Sequence, residues 1–174
     1  MNYWLMKSEP ATFGVDDLAR ARNRTSGWDG VRNYQARNFL RSMKRSDLAF
    51  FYHSSCAVPG VVGVMSIVRE AYPDPTAFDP ADDHYDPHST PSKPRWFMVD
   101  VQLERKFDRI VTLDELRSHG DGALQGMSVL KRGNRLSITP VIKAHWDFIM
   151  KLAQTAAADN REAASRTRRT STAR

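Results

Sequence analysis

The sequence predicts an α+β fold in which a small curved mixed sheet, or barrel, carries helices packed outside it. Three observations lead there. Apolar runs of strand length outnumber the helical patterns. The helical patterns fall between them without regular strand–helix alternation, which argues against a doubly wound parallel sheet. Finally, 174 residues of which 41% are hydrophobic suffice for one domain with a substantial core, and there is no internal repeat.

In chain order, Tyr3-Trp4-Leu5-Met6 reads as a short buried strand that the polar Lys7-Ser8-Glu9 and then Pro10 bring to an end. Val15 to Ala21 predicts a short helix with Asp16 and Asp17 in its favourable first turn. Arg20 to Gly27 is a polar connection, and Trp28 lies in the turn after it. Ala36, Phe39, Leu40 and Met43 then recur on one helical face. Leu48–Tyr52 and Val61–Val68 form a predicted hairpin, with Gly63 marking a bulge or a close approach. Residues 72–95 hold six prolines among Asp, His and Ser, a long irregular insertion of the kind that often carries function. Trp96 to Phe107 alternates as a half-buried strand, and Thr112-Leu113-Asp114-Glu115 opens a short helix with a capping box. Leu136-Ser137-Ile138 is the last expected strand, followed by a helix capped by Thr139 with Pro140 in its first turn. The domain is expected to span 1–153, and 154–174 to be a disordered basic tail.

Composition excludes several classes. No apolar run approaches the roughly 20 residues of a membrane span, so no membrane partner is expected. The single Cys56 allows neither an internal disulfide nor a Cys-based zinc site, and a reducing compartment fits: cytoplasm, or nucleus in a eukaryote. Half of the formal +6 lies in 154–174, where five arginines face Asp159 and Glu162. A basic patch on the body must therefore be local. There is no GxGxxG and no Walker-type loop. His53-Ser54-Ser55-Cys56 places a base beside nucleophiles but offers no third orienting group. Asp82 to His88 has metal-ligating residue types on a Pro-interrupted loop, which reads better as solvated. No catalytic residues, metal or cofactor are expected.

The remaining chemistry is a set of aromatic, amide and cationic groups at strand ends and turns. Lys7, Ser8 and Glu9 follow one strand, and Tyr52, His53 and Ser54 end another; Trp28 occupies a glycine-flanked turn and Tyr85 the long insertion. Asn33, Arg32, Arg37 and Arg41 flank or belong to the helix after Trp28. Ring faces with a few donors and acceptors suit a planar, polar-edged ligand, and nearby guanidinium groups suit its phosphates. The same pattern also fits a core tryptophan followed by an ordinary surface helix.

Trp4-Leu5-Met6-Lys7-Ser8-Glu9-Pro10, Trp28-Asp29-Gly30-Val31-Arg32-Asn33-Tyr34-Gln35-Ala36-Arg37-Asn38 and Phe50-Phe51-Tyr52-His53-Ser54 together resemble the EVE domain family. So do Pro59-Gly60-Val61-Val62-Gly63, Tyr72-Pro73-Asp74, His84-Tyr85-Asp86-Pro87 and Trp96 to Val101. The resemblance covers about residues 2–152. It implies a PUA-like twisted sheet and a relationship to YTH domains, which hold a methylated adenine in an aromatic cage. It further implies a non-catalytic module that reads a modified base in DNA or RNA. On that reading Trp28 stacks on a flipped base, and Glu9 accepts from an exocyclic amine. Ser8, Asn33, Tyr52, His53, Ser54 and Tyr85 address or enclose the rest, while Lys7, Arg32, Arg37 and Arg41 meet phosphates. The expected partner is nucleic acid bound by a monomer. The alternative is a small-molecule pocket for a modified nucleoside or nucleotide, as sensor or enzyme.

Overall fold

The structure, a computed structural model, describes residues 1–155. One mixed, curved sheet of six strands runs through the molecule: β1 (Tyr3–Ser8), β2 (Thr25–Trp28), β3 (Leu48–His53), β4 (Gly60–Pro73), β5 (Phe97–Thr112) and β6 (Ile138–Val141), in the spatial order β2-β5-β4-β3-β1-β6. Only β1 and β3 pair in parallel, Tyr3 opposite Leu48 through Ser8 opposite His53; the other pairs are antiparallel. A parallel pair needs a long crossover, and here residues 9–47 supply it, with helices α1 (Val15–Arg20) and α2 (Tyr34–Ser42) and strand β2 inside.

The sheet is covered on both faces. On one face Trp4, Met6, Ala49 and Phe51 pack against Val15 and Leu18 of α1 and Ala36, Leu40 and Met43 around α2. On the other, Leu5, Phe50 and Tyr52 meet Leu116 of α3 (Leu113–Ser118) and Trp146, Ile149 and Ala153 of α4, which spans 143–155. The period-two alternation of β1 and β3 assigns successive residues to these two cores. Curvature enters through register shifts along β4, one of them at Gly63. A Cβ there would stand 2.6 Å from the Arg105 carbonyl oxygen, so the close approach expected at this glycine is present.

Three elements differ from the sequence reading. Thr25–Trp28 is an edge strand, not a connection and turn; its polar residues are tolerated because β5 alone flanks it. Thr139 and Pro140 belong to β6 and do not cap a helix. Pro140 lies opposite Trp4 on the outermost strand, where a missing N–H leaves no neighbour unsatisfied. The helix then starts at 143 and continues through Gln154 and Thr155, the first two residues of the expected tail. The rest of that tail, 156–174, lies outside the described residues.

Candidate functional site

The ends of β1 and β2 open into a cleft of about 660 Å³. The turn after β1 builds one wall. Thr12 and Phe13 both donate their backbone N–H to the Glu9 carbonyl at 2.9 Å, and the Ser8 hydroxyl donates to the Phe13 carbonyl at 2.7 Å. This folds Phe13 back over Phe51, 6.2 Å between centroids, and edge-on to Trp28 at 6.3 Å. The opposite wall is His84, delivered by the long insertion. Gly30 permits its approach: φ is +72°, and a Cβ would lie 2.8 Å from the imidazole Nε2. Only glycine fits comfortably in that backbone conformation at such a distance.

Arg32 ties this wall in place. Its guanidinium donates to Asp74 at 2.8 Å, to the Thr76 hydroxyl at 2.9 Å and to the His84 carbonyl at 2.7 Å, while the Gly30 N–H also donates to Asp74. Asp74 is fully buried. Burial alone would raise its pKa, but hydrogen bonds from Thr76, Arg32 and Gly30 hold the carboxyl below its ordinary value. Arg32 therefore lines the cleft as a clamp between β2, the end of β4 and the insertion, with its charge already matched by Asp74. The expected phosphate role does not suit it.

The other expected site residues divide. Lys7, Ser8, Glu9 and Trp28 all line the cleft. Trp28 is only 6% exposed and packs edge-on to Phe51 at 5.2 Å, so it is a core residue that forms the cleft floor and not an open stacking face. Its indole N–H has no protein acceptor among the described residues and is not sealed off from solvent. Asn33 is not brought in: its side-chain oxygen caps α2, accepting from the Gln35 and Ala36 N–H groups. Tyr52 lies on the opposite face of the sheet, in the second core, because it is one residue out of phase with Phe51. His53 shares the Trp28 face, but its Nε2 accepts the Val15 N–H at 3.1 Å and so anchors α1. Burial lowers its pKa, which keeps that nitrogen an acceptor. The same bond engages the imidazole next to Ser54, Ser55 and Cys56 in sequence.

Ser54 faces a different cleft, and Tyr85 is an exposed neighbour of the wall residue His84. Arg37 donates to the Arg95 carbonyl and to Asn38 and lies over the Tyr34 ring; Arg41 lies over Phe97. Neither lines the cleft. Among the described residues no group of three or more His, Cys, Asp or Glu side chains is placed to hold a metal.

Sequence reasoning missed Phe13, Asp29, His84 and Ser137. Desolvation, reinforced by the nearby charge of Asp74, raises the pKa of Asp29. Burial lowers that of Lys7. The cleft thus combines an aromatic floor and wall with two cations, Lys7 and Arg32, three carboxyls, Glu9, Asp29 and Asp83, and an imidazole. Such a set can enclose a planar ring and hydrogen-bond its edge.

Comparison with known proteins identifies the family and the fold. A family model described as the EVE domain matches residues 2–152. Thymocyte nuclear protein 1 of Mus musculus is 48% identical over 169 residues, covering 88% of this chain and 74% of that protein. Among solved structures, human THYN1 protein in complex with 5-methylcytosine-containing DNA matches with a TM-score of 0.85 at 46% identity, over 88% of this chain and 98% of that one. A Pseudomonas putida protein matches with a TM-score of 0.83 at 46% identity, over 87% and 99%. With nearly the whole described chain matched in both sequence and fold, the protein belongs to the EVE domain family.

Proposed function

We propose that this chain is a non-catalytic nucleic-acid-binding module that receives a modified base in the cleft floored by Trp28. The observation that carries the reading is the cleft itself, a cavity with room for a base and its sugar, with Phe13 and His84 as walls and carboxyls among its lining. The likeness to a human protein in complex with 5-methylcytosine-containing DNA supports it and makes 5-methylcytosine in DNA the first candidate. The chemistry is consistent. The exocyclic amine of a cytosine donates to a carboxylate, a role open to Glu9 or Asp29. The indole N–H of Trp28 and the ammonium of Lys7 offer donors to the ring's acceptors. Phe13 offers apolar contact to a methyl group and a face to the ring. A base in such a cleft has left its stack, and an already single-stranded or weakly paired base reaches it at lower cost.

The protein acts as a monomer on this reading. No helix among the described residues is long and apolar enough to cross a membrane. The cytoplasm or nucleus, where nucleic acid is found, is the compartment it would work in.

Titration of matched DNA and RNA oligonucleotides, with and without the modified base at fixed salt, tests the proposal. Wild type should prefer a modified strand. Phe13→Ala, which removes a ring that only partly belongs to the core, should weaken that strand about ten- to a hundred-fold, the range of one base–aromatic contact. Equal affinity for modified and unmodified strands, with tighter binding of the free nucleoside, would favour a small-molecule sensor instead.

A further inference from the structure

Lys7 lines two clefts. The second, of about 500 Å³, lies beyond the end of β1, between the turn after β3, the start of α3 and the loop 131–134. Four of its lining side chains are cationic, Lys7, Arg117, Lys131 and Arg132, and none is acidic. The pair between Arg117 and Asp114 spans 3.4 Å with side chains 61% and 92% exposed, so water largely screens it. Lys7 is half-buried, its pKa is lowered by desolvation alone, and no carboxylate compensates it among the described residues. A desolvated cation without a counter-charge is unfavourable, and an anion seated beside it would relieve that cost.

The surroundings are shaped for such an anion. Asn134 donates to the Ser128 carbonyl and accepts from the Leu136 N–H, and Gly133 turns the loop at φ +76°. The Lys7 N–H then donates to the Ser137 carbonyl at 2.7 Å, which fastens this loop to β1. Tyr52, out of reach of the Trp28 cleft, lines this one. Burial pushes its pKa up to about 12, so its hydroxyl remains a donor, and it has no partner among the described residues.

We propose that the second cleft holds the phosphodiester backbone of the polynucleotide whose base enters the first, with Lys7 at the junction and Arg117, Lys131 and Arg132 along the strand. This deepens the reading of the Trp28 cleft and rests on it. It moves the backbone contacts from Arg32, Arg37 and Arg41 to the opposite side of β1. Ser54, which the Trp28 cleft excludes, becomes a hydrogen-bond donor to phosphate oxygens.

The test compares wild type with an Arg117→Ala/Lys131→Ala/Arg132→Ala variant, whose changes all fall on exposed side chains. Each is titrated from about 50 to 200 mM salt with an oligodeoxynucleotide carrying 5-methylcytosine, with its unmethylated twin, and with 5-methyl-dCMP. The variant should bind both strands more weakly by the same factor, keep the ratio between them, and show a log–log salt slope shallower by about 2–3. Unchanged affinity and slope would overturn the backbone site, while a retained methyl preference would leave the base reading standing. Weakened binding of the mononucleotide with an unchanged oligonucleotide slope would also overturn it, in favour of a free-nucleotide anion site. If wild type binds no strand, both readings fall.

Discussion

Single residues at this cleft belong both to the core and to the cleft surface, and Trp28 is the sharpest example. As a core ring packed on Phe51 and Phe13 it belongs to the interior; as the cleft floor it meets whatever enters. Trp28→Ala should destabilise the fold by about 3–5 kcal/mol, as large core truncations do. A denaturant melt measures this, and a loss below about 1 kcal/mol would return the indole to an open, solvent-facing role. Any affinity lost in that variant is uninterpretable without the melt, which is why Phe13 and not Trp28 is the cleaner probe of the cleft. Lys7 shows a related tension, being a cation at a half-buried strand end that no carboxylate among the described residues balances.

At the scale of elements, α1 depends on a bond from outside itself. Gly14 donates to the Asp17 carboxylate and Val15 donates to His53 of β3, so two of the orphan N–H groups at its start are satisfied, one of them across the core. The His53 pKa is lowered in the fold, whereas an unfolded histidine titrates near about 6.5. Below that pH the unfolded chain binds a proton that the folded one resists. Stability is therefore full above about pH 6.5 and falls as the pH drops towards the folded pKa. His53→Gln, which keeps an acceptor and does not titrate, should flatten thermal stability between about pH 7 and 5. An identical pH slope in wild type and variant would mean that another group governs it.

The elements also separate what a sequence can reveal from what it cannot. β1, β3 and β4 were legible because buried strands read as apolar runs, and α3 because Thr112 caps it by accepting the Glu115 N–H. β2 and β6 were not. Thr25-Ser26-Gly27-Trp28 and Ile138-Thr139-Pro140-Val141 are edge strands, where half the hydrogen-bonding demand is absent and composition is unconstrained. The site was legible where it follows a strand end, at Lys7, Ser8 and Glu9, and at the glycine-flanked Trp28. His84 against Gly30 and Ser137 beside Lys7 arise from tertiary contact and leave no local pattern. Asn33 and Tyr52 were misplaced because capping and strand phase, which decide what their side chains face, depend on boundaries a residue or two wide.

Across the whole molecule, one sheet divides two cores, and Trp4 and Trp28 report on one while Trp146, stacked 3.9 Å from Phe50, reports on the other. Because β1 and β3 contribute alternate residues to both, neither core can melt without exposing strands of the other. Thermal unfolding followed by tryptophan fluorescence should coincide with that followed by far-UV circular dichroism, in wild type and in Trp146→Phe alike. Separated midpoints would show that the two sides come apart independently.

The crossover between β1 and β3 has one more effect. Residues 9–47, which bridge the sheet's only parallel pair, also hold Glu9, Phe13, Trp28, Gly30 and Arg32 of the cleft. On the proposed function, recognition is written into the hinge pin of the sheet and not hung from its rim. A ligand bound there at a hundred times its dissociation constant adds about 2.7 kcal/mol to the stability of everything that pin joins. Replacing the segment with a plain linker would uncover the sheet face that α1 and α2 bury. Specificity in this protein can drift by exchanging side chains, but the connection that carries them has to stay.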